Sequence, residues 1–455
     1  MSHTKRENFA SSFTFIMAMA GSAIGLGNIW RFPFMVGEYG GAAFIIAYIV
    51  CSLMLAVPCF VSESLIGRRA RSGVYGAFSK LAPGTPWKFM GALNVIACFI
   101  VVSYYCVVGG WSLDFLIRSL TGKLGHGNPE AATGIFPAMA SSPAESLLML
   151  FFFLGATAFI VLKGVKKGIE TFTKISTPLL FFLMLLLVVY SVSLPGAGEG
   201  VKYLVKPDFS KLGADGLAAA LGQAFFSMSL GVGTVLIYSS FMKKEDNILS
   251  AGVWTSVSDT GFALISGFAI MPAVFAAGLE PGAGPSLVYE TLPYIFAKMG
   301  VNSPVLSWIV TVLFFLTILT AALTSSISLF DVCLEHAVEQ YHVKRWQAAL
   351  MFFIPGLALG VPCALSFGVM GDVKIFGLTV FELCDYLASN VFMTLGALAF
   401  VLFVGWFMKK EDVLDELSSG GQVTVKSGLF KMLYFFIRWI VPPAILFIFV
   451  LNLIR

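Results

Sequence analysis

Apolar residues run through this chain in long blocks separated by short polar loops, without the strict alternation of strands. A helix needs about 20 mainly apolar residues to cross the hydrocarbon of a bilayer. Blocks at 12–36, 41–66, 88–118, 145–162, 169–194, 216–241, 251–277, 303–338, 346–366, 379–407 and 430–453 predict about 11 membrane spans. The run from Val301 to Phe330 holds no charge. One connection, 278–302, is long and half apolar, with Leu287, Val288, Tyr289, Leu292, Tyr294, Ile295 and Phe296 at helical spacing. Structureless connections of that length are uncommon. Short helices folded back over the bundle as a lid are expected there.

Two blocks contain residues that spoil a helix. Span 1 places Gly21, Gly25, Gly27, Asn28, Arg31 and Pro33 in or near its middle. Each glycine costs a helix roughly 1 kcal/mol against alanine, and an interior proline about 3. Irregular backbone survives at membrane depth only where it is buried in protein or lines a cavity. The pattern therefore predicts a break at Gly21 to Gly27, with carbonyls turned toward something bound. Five spans later, span 6 carries Ser227-Met-Ser-Leu-Gly-Val-Gly233, a second interruption. Paired broken segments in two halves point to a transporter site, and an odd offset makes the second half inverted. The competing reading is a small-residue packing face, Gly21 and Gly25 being four apart.

The expected fold is an all-α membrane protein. It is a polytopic helical bundle of about 11 spans with a five-plus-five inverted repeat and broken helices 1 and 6. One domain fills 1–455, with repeats at about 12–194 and 216–407 and an extra helix at about 430–453.

Composition agrees. The 455 residues are 58% hydrophobic and 12% charged, against about 25% charged in soluble proteins. Transmembrane barrels would show short alternating segments. The basic residues sit in small clusters between spans, which argues against nucleic-acid binding. With the N-terminus inside, the inner loops carry Arg68, Arg69, Arg71, Lys80 and Lys88, then Lys163, Lys166 and Lys167. Lys243 and Lys244, Lys344 and Arg345, and Lys409, Lys410 and Lys426 follow. That bias sets orientation. The expectation is a multi-pass protein of the cell (inner) membrane with a cytoplasmic N-terminus and no cleaved signal peptide. The seven cysteines form no CxxC pair and the four histidines have no metal-ligand spacing. No zinc HExxH motif occurs, and no histidine lies mid-span near an acid, so an enzyme is not expected.

Polar groups inside a membrane are expensive and functional by default. In span 8, Ala321, Thr324 and Ser325 lie at i, i+3 and i+4 on one face. One carbonyl and two hydroxyls suit a hard monovalent cation; the alternative is hydroxyls bonded back to their own helix. Asp259 is the one acid of span 7 and wants a cation or a proton. Asn28 and Ser227 offer oxygens beside the two breaks. Tyr104 and Tyr105 sit deep in span 3, where their hydroxyls need partners, a substrate carboxylate or the core. Arg31 and Asp385 could pair as an outer gate, Arg6 and Glu339 as an inner one.

The run Gly21-Ser-Ala-Ile-Gly-Leu-Gly-Asn-Ile-Trp-Arg-Phe-Pro33 resembles the signature of the neurotransmitter:sodium symporters. Gly222-Gln-Ala-Phe-Phe-Ser-Met-Ser-Leu-Gly231 and Leu323-Thr-Ser-Ser326 are similar to that family's sixth- and eighth-span motifs. The resemblance runs from about residue 5 to the end, and the family is a standard example of inverted repeats with broken helices. It implies two Na+ ions. The first site would use Ala23, Asn28, Ser227, Asp259 and the substrate carboxylate. The second would use Gly21, Ile24, Ala321, Thr324 and Ser325. The substrate amine would meet carbonyls near Ala23, Phe226 and Ser229. Its carboxylate would face Leu26, Gly27 and Tyr105. Phe226 would roof the pocket, and Ser22, Val101, Val232, Ser326 and Leu329 would line its side.

Departures sharpen the expectation. Amine-carrying relatives have Asp at the position of Gly25; glycine leaves room for an α-carboxylate and implies an amino acid. Chloride-dependent relatives hold chloride with Tyr, Gln and two Ser. Tyr48, Gln223 and Ser227 match, but Ala263 stands at the fourth position. Asp259 replaces an Asn, so its charge would stand in for chloride. Val232 is small, which implies larger apolar or aromatic amino acids. Gly168 and Pro178 resemble a spacing tied to unwinding of span 5 for sodium release. Most relatives have a twelfth span. The resulting reading is sodium-coupled uptake of amino acids by alternating access. The rivals are a proton-coupled permease using Asp259 and a non-transporting membrane binding protein. The expected partners are an amino acid and membrane lipid, with no nucleic acid; the sequence leaves oligomeric state open.

Overall fold

A computed structural model describes residues 8–124, 128–279 and 287–454. Among them, nine unbroken helices are long and apolar enough to cross a membrane. They are Ala42–Ala70, Lys88–Leu120, Pro143–Leu162, Val165–Val192, Ile248–Ala276, Pro304–Tyr341, Arg345–Leu365, Val380–Phe407 and Ser427–Leu451. A tenth span is the pair Ser12–Ala23 and Gly27–Glu38, bent by 58°. The sixth in chain order is Gly213–Ser227 with Thr234–Ser239, interrupted at 228–233. Boundaries fall within a few residues of those expected. The 278–302 connection is helical at Leu287–Thr291 and Leu292–Gly300, while 280–286 lies outside the described residues.

The apolar surface is distributed as lipid demands. Ile175, Phe182 and Val189, spaced by seven along span 5, are 68%, 59% and 71% exposed. Such a stripe faces lipid tails, which are as apolar as leucine. Spans 1 and 6 lie at the centre instead. Span 8 packs along span 3 and span 7 along span 5; span 1 touches spans 5, 7 and 8. The first half of span 6 lies against the start of span 2 and the second half against its end.

Unwound backbone in a membrane must find partners for its polar groups. In span 1 the regular bonding stops at Ile24, whose N–H donates to Ala20 O at 2.7 Å. Asn28 Oδ1 then accepts from Gly25 N at 3.0 Å, stapling the turn with a side chain. The break in span 6 needs left-handed backbone at Ser229 (φ 52°), Gly231 (φ 83°) and Gly233 (φ 82°). Side chains from spans 2 and 3 satisfy it. Gly231 N donates to Glu63 Oε1 at 2.7 Å, Asn94 Nδ2 donates to Gly231 O, and Cys98 Sγ donates to Val232 O at 3.0 Å. Thr234 Oγ1 closes the turn on Ser229 O at 2.9 Å.

Gly231 also lets span 6 press against span 10. A Cβ there would stand 1.9 Å from Met393 O. Left-handed backbone costs a non-glycine residue about 1–2 kcal/mol before any collision. Gly231→Ala is expected to lower the melting midpoint in detergent clearly. Gly222→Ala, whose Cβ meets nothing within 4 Å, should leave it unchanged or raise it. Equal midpoints for the two variants would refute the close-packing account.

Candidate functional site

The two breaks face one small cavity. Ala23, Gly25, Leu26 and Gly27 come to it from span 1, and Phe226, Ser227, Ser229 and Val232 from span 6. Val101 and Tyr105 of span 3, with Ser325 and Leu329 of span 8, complete the wall. Leu26 N donates toward Tyr105 Oη at 3.4 Å, so a backbone donor and a phenol converge on one spot. A Cβ on Gly25 would stand 3.2 Å from Tyr105 Oη and 2.6 Å from Ser325 Oγ. The missing side chain therefore leaves its space beside two hydroxyls. Val101, Val232 and Leu329 make the opposite wall apolar, the usual composition of a small-molecule site.

Asp259 lies fully buried beside this cavity. Its carboxylate accepts from Asn28 Nδ2 at 2.8 Å, from Ser227 Oγ at 2.7 Å and from Tyr48 Oη at 2.9 Å. Among the described residues no Lys, Arg or His pairs with it. A buried carboxylate with donors but no cation is costly by several kcal/mol, so the group is poised to take a positive ion. Turning the Asn28 amide over would present Oδ1 to such an ion. Gln223 Nε2 donates to Gly27 O at 3.1 Å, and Ala263 is buried without polar side-chain atoms to offer.

A second set of oxygens gathers where span 1 breaks against span 8. Thr324 Oγ1 lies 3.5 Å from Ile24 O and 2.9 Å from Ala321 O. Ser325 Oγ lies 3.1 Å from Ser22 O and 3.5 Å from Ile24 O. Oxygens bound at about 2.4 Å to a hard cation stand roughly 3.4 Å from one another. The spacing fits such a cage. Thr324 also bonds back to its own helix, at Thr320 O (3.3 Å). Gly21 packs on span 5, where a Cβ would meet Thr177 Oγ1 at 2.7 Å.

Some expected residues are turned elsewhere. Ser22 Oγ donates to Ser328 Oγ at 2.7 Å, and Ser326 Oγ meets Thr157 Oγ1 at 2.9 Å. Neither lines the cavity. Arg31 is not ion-paired to Asp385 among the described residues; its guanidinium stands 4.6 Å from the Phe226 ring centre. Asp385 accepts from Ser389 Oγ at 3.1 Å. Above Phe226 a vestibule reaches Arg31, Tyr39, Ser389 and Ile448. Glu339 accepts from Ser72 Oγ at 2.8 Å and Gly73 N at 2.6 Å, while Arg6 lies outside the described residues. Around Gly168 span 5 is a π-helical turn, Val165–Glu170, and Pro178 stands inside the helix that follows.

Three contributors were missed by sequence reading. Met393 lines both the cavity and the vestibule, and a methionine in an apolar span carries no signal. Glu63 and Asn94, each 0% exposed, hold the span 6 break. The rule that singled out Asp259, a polar group inside a span, applies to both.

This geometry defines a helical membrane transporter with two broken spans around a central site. The family model described as the sodium:neurotransmitter symporter family matches residues 6–133 and 139–455, and the chain belongs to that family. It is therefore a multi-pass membrane protein of a family of sodium-dependent transporters, not enzymes. The sodium-dependent transporter YhdH of Bacillus subtilis is 36% identical over 100% of this chain and 99% of its own. The sodium-dependent serotonin transporter of Drosophila melanogaster is 27% identical over 98% of this chain and 76% of its own. The crystal structure of MhsT in complex with L-phenylalanine superposes with a TM-score of 0.90 at 42% identity, covering 98% of this chain and 99% of that one.

Tyr48 tests the setting of Asp259. Hydrogen bonds to charged groups contribute about 1.5–3 kcal/mol. Tyr48→Phe keeps the ring, 5.0 Å from Phe32, and removes only the donor. In sodium-free detergent its melting midpoint should fall below that of the parent; an unchanged midpoint would mean that the phenol does not hold the carboxylate.

Proposed function

We propose that this protein couples sodium entry to uptake of an apolar or aromatic amino acid by alternating access, without chloride. The observation that carries the reading is the Asp259 carboxylate. It is buried beside the cavity, held by Asn28, Ser227 and Tyr48, and faces no basic residue among those described. Tyr48 and Ser227, which would hold chloride in other members, spend their protons on that carboxylate instead.

In the proposed cycle one sodium ion binds at Ala23, Asn28, Ser227 and Asp259, and a second at Gly21, Ile24, Ala321, Thr324 and Ser325. The amino acid sets its carboxylate against Leu26 N, Gly27 and Tyr105 Oη, on the N-terminal side of a half-helix where the dipole favours negative charge. Its amine meets carbonyls freed at the breaks near Ala23, Phe226 and Ser229. Its side chain fills the apolar wall of Val101, Val232 and Leu329. MhsT, 42% identical and solved with L-phenylalanine, supports an amino acid of that kind. Arg31 then leaves Phe226 for Asp385 and closes the vestibule, and spans 1, 2, 6 and 7 rock against the rest. One charge crossing about 100 mV gains roughly 2.3 kcal/mol. The reading places the protein in the cell membrane with its N-terminus in the cytoplasm, as the basic loops require.

The deciding experiment is sodium-dependent competition binding of the twenty amino acids to purified protein, with chloride or gluconate as counter-ion. Phenylalanine and large aliphatic residues are expected to compete best, equally in both salts. Binding that collapses in gluconate would sink the chloride surrogate, and binding unaffected by replacing sodium with potassium would sink sodium coupling. Thr324→Ala removes one of two hydroxyl ligands and should raise the sodium concentration for half-activation about tenfold, the equivalent of 1.4 kcal/mol. Unchanged sodium activation would count against the second site.

A further inference from the structure

On span 11 a buried donor lies without a partner or a counter-charge among the described residues. Arg438 lies half-buried in span 11, and its Nε is buried without a hydrogen-bond partner. Among the described residues no carboxylate pairs with it. Its guanidinium stands 4.7 Å from the Trp406 ring centre and 5.5 Å from that of Trp439. The two indoles meet edge to face at 4.7 Å, and each is 50% exposed. Trp406 Nε1 donates to Arg438 O at 3.0 Å, which fixes the indole edge and leaves its face to the guanidinium.

The depth of this group follows from its neighbours. Trp406 is one residue from the end of span 10, beside Lys409 and Lys410. One turn before Arg438, Tyr434 Oη donates to Gly405 O at 3.2 Å, and Lys410 Nζ stands 5.6 Å from the Tyr434 ring. Arg438 therefore sits at the membrane surface that carries the basic loops. Tryptophans mark that boundary, and anionic headgroups gather there. From it toward the bilayer centre, span 11 continues with exposed apolar residues, Ile440, Leu446, Phe447 and Val450.

We propose that Arg438, between Trp406 and Trp439, binds the phosphate of an anionic phospholipid whose acyl chains lie along that apolar flank. The planar guanidinium fork matches phosphate oxygens in a way that a lysine does not. The indoles hold the fork in place and keep it from an alternative partner within the chain. With no carboxylate partner among the described residues, the guanidinium keeps its terminal N–H donors for the phosphate. The exposed apolar flank favours a lipid over a bare phosphate ion, which has no use for it. The site is independent of the central cavity, so its existence does not rest on the transport reading.

Native mass spectrometry of the full-length protein in detergent tests this, with dioleoylphosphatidylglycerol and dioleoylphosphatidylcholine as probes. The parent should retain one phosphatidylglycerol about fivefold more strongly than phosphatidylcholine, the value of one basic residue near an anionic surface. Arg438→Gln should abolish the preference, and Arg438→Lys should keep part of it. If Arg438→Gln does not fold, Trp406→Leu decides, because it keeps the charge and removes one wall; retention of phosphatidylglycerol should fall. Equal lipid preference in parent and Arg438→Gln, or in parent and Trp406→Leu, would overturn the proposal. Displacement of the lipid by millimolar inorganic phosphate would overturn it in favour of a free-anion site. A dimer without bound lipid, lost in Arg438→Gln, would overturn it in favour of contact between copies.

Discussion

Everything at the centre of this molecule follows from unwound backbone at membrane depth. Water is not there to satisfy a free N–H or C=O, so each break must be closed by other groups of the protein or by something bound. The two breaks meet this demand differently. In span 6 the exposed amides and carbonyls are taken by side chains of Glu63, Asn94 and Cys98. In span 1 the staple from Asn28 closes only the first amide, and Ile24 O is reached by two hydroxyls of span 8 at 3.5 Å each. Span 6 is thus braced by the protein, while span 1 retains oxygens at a spacing that a cation could tighten.

In the proposed cycle the same constraint brings an ion and an organic substrate to one site. Asn28 bonds at once to the amide that closes the first break and to the carboxylate of Asp259. Ser227, at the last turn before the second break, bonds to that same carboxylate. A charge change at Asp259 therefore acts on both breaks without any longer path. In the proposed cycle this is the physical basis of coupling: an ion that neutralises the carboxylate also reorients the two groups that shape the cavity.

Much of this was legible in the chain because breakers in an apolar run are costly and need a reason. Gly21 to Gly27 and Ser227 to Gly233 stood out on that ground, and Asp259 did so as an acid in an uncharged span. What stayed hidden was pairing across long sequence separations. Glu63 reaches Gly231 and Asn94 reaches the same residue from another span; each alone looks like an isolated polar residue. Ser22 and Ser326 show the reverse error. Both sit in the right motifs, yet Ser22 turns to Ser328 and Ser326 to Thr157, because a buried hydroxyl goes to its nearest acceptor. Helical periodicity fixes a face to within a turn, and that is too coarse to choose between a cavity and the neighbouring helix.

The two sides of the bundle are closed to different degrees. On the basic side Arg68 pairs with Glu416 at 2.6 Å, Arg69 with Asp412 at 2.8 Å and Arg345 with Asp331 at 3.2 Å. On the other side Arg31 rests on Phe226 below an open vestibule. At a hydrated site a cation over an aromatic ring gains about 0.5–1 kcal/mol, close to the roughly 0.2–1 kcal/mol of a hydrated ion pair. With the vestibule hydrated the two contacts are nearly equal, and Arg31 rests on the ring, unpaired with Asp385. Removing that water lowers the local dielectric and strengthens the charge pair several-fold, while the attraction of the ring changes less. Phe226 belongs to both the vestibule and the cavity beneath it. A substrate that seats against the underside of that ring dries the space on either side of it, and so tips Arg31 from the ring to the carboxylate. Closure in the proposed cycle then needs no separate trigger, because filling the cavity changes which of two nearly equal contacts is stronger.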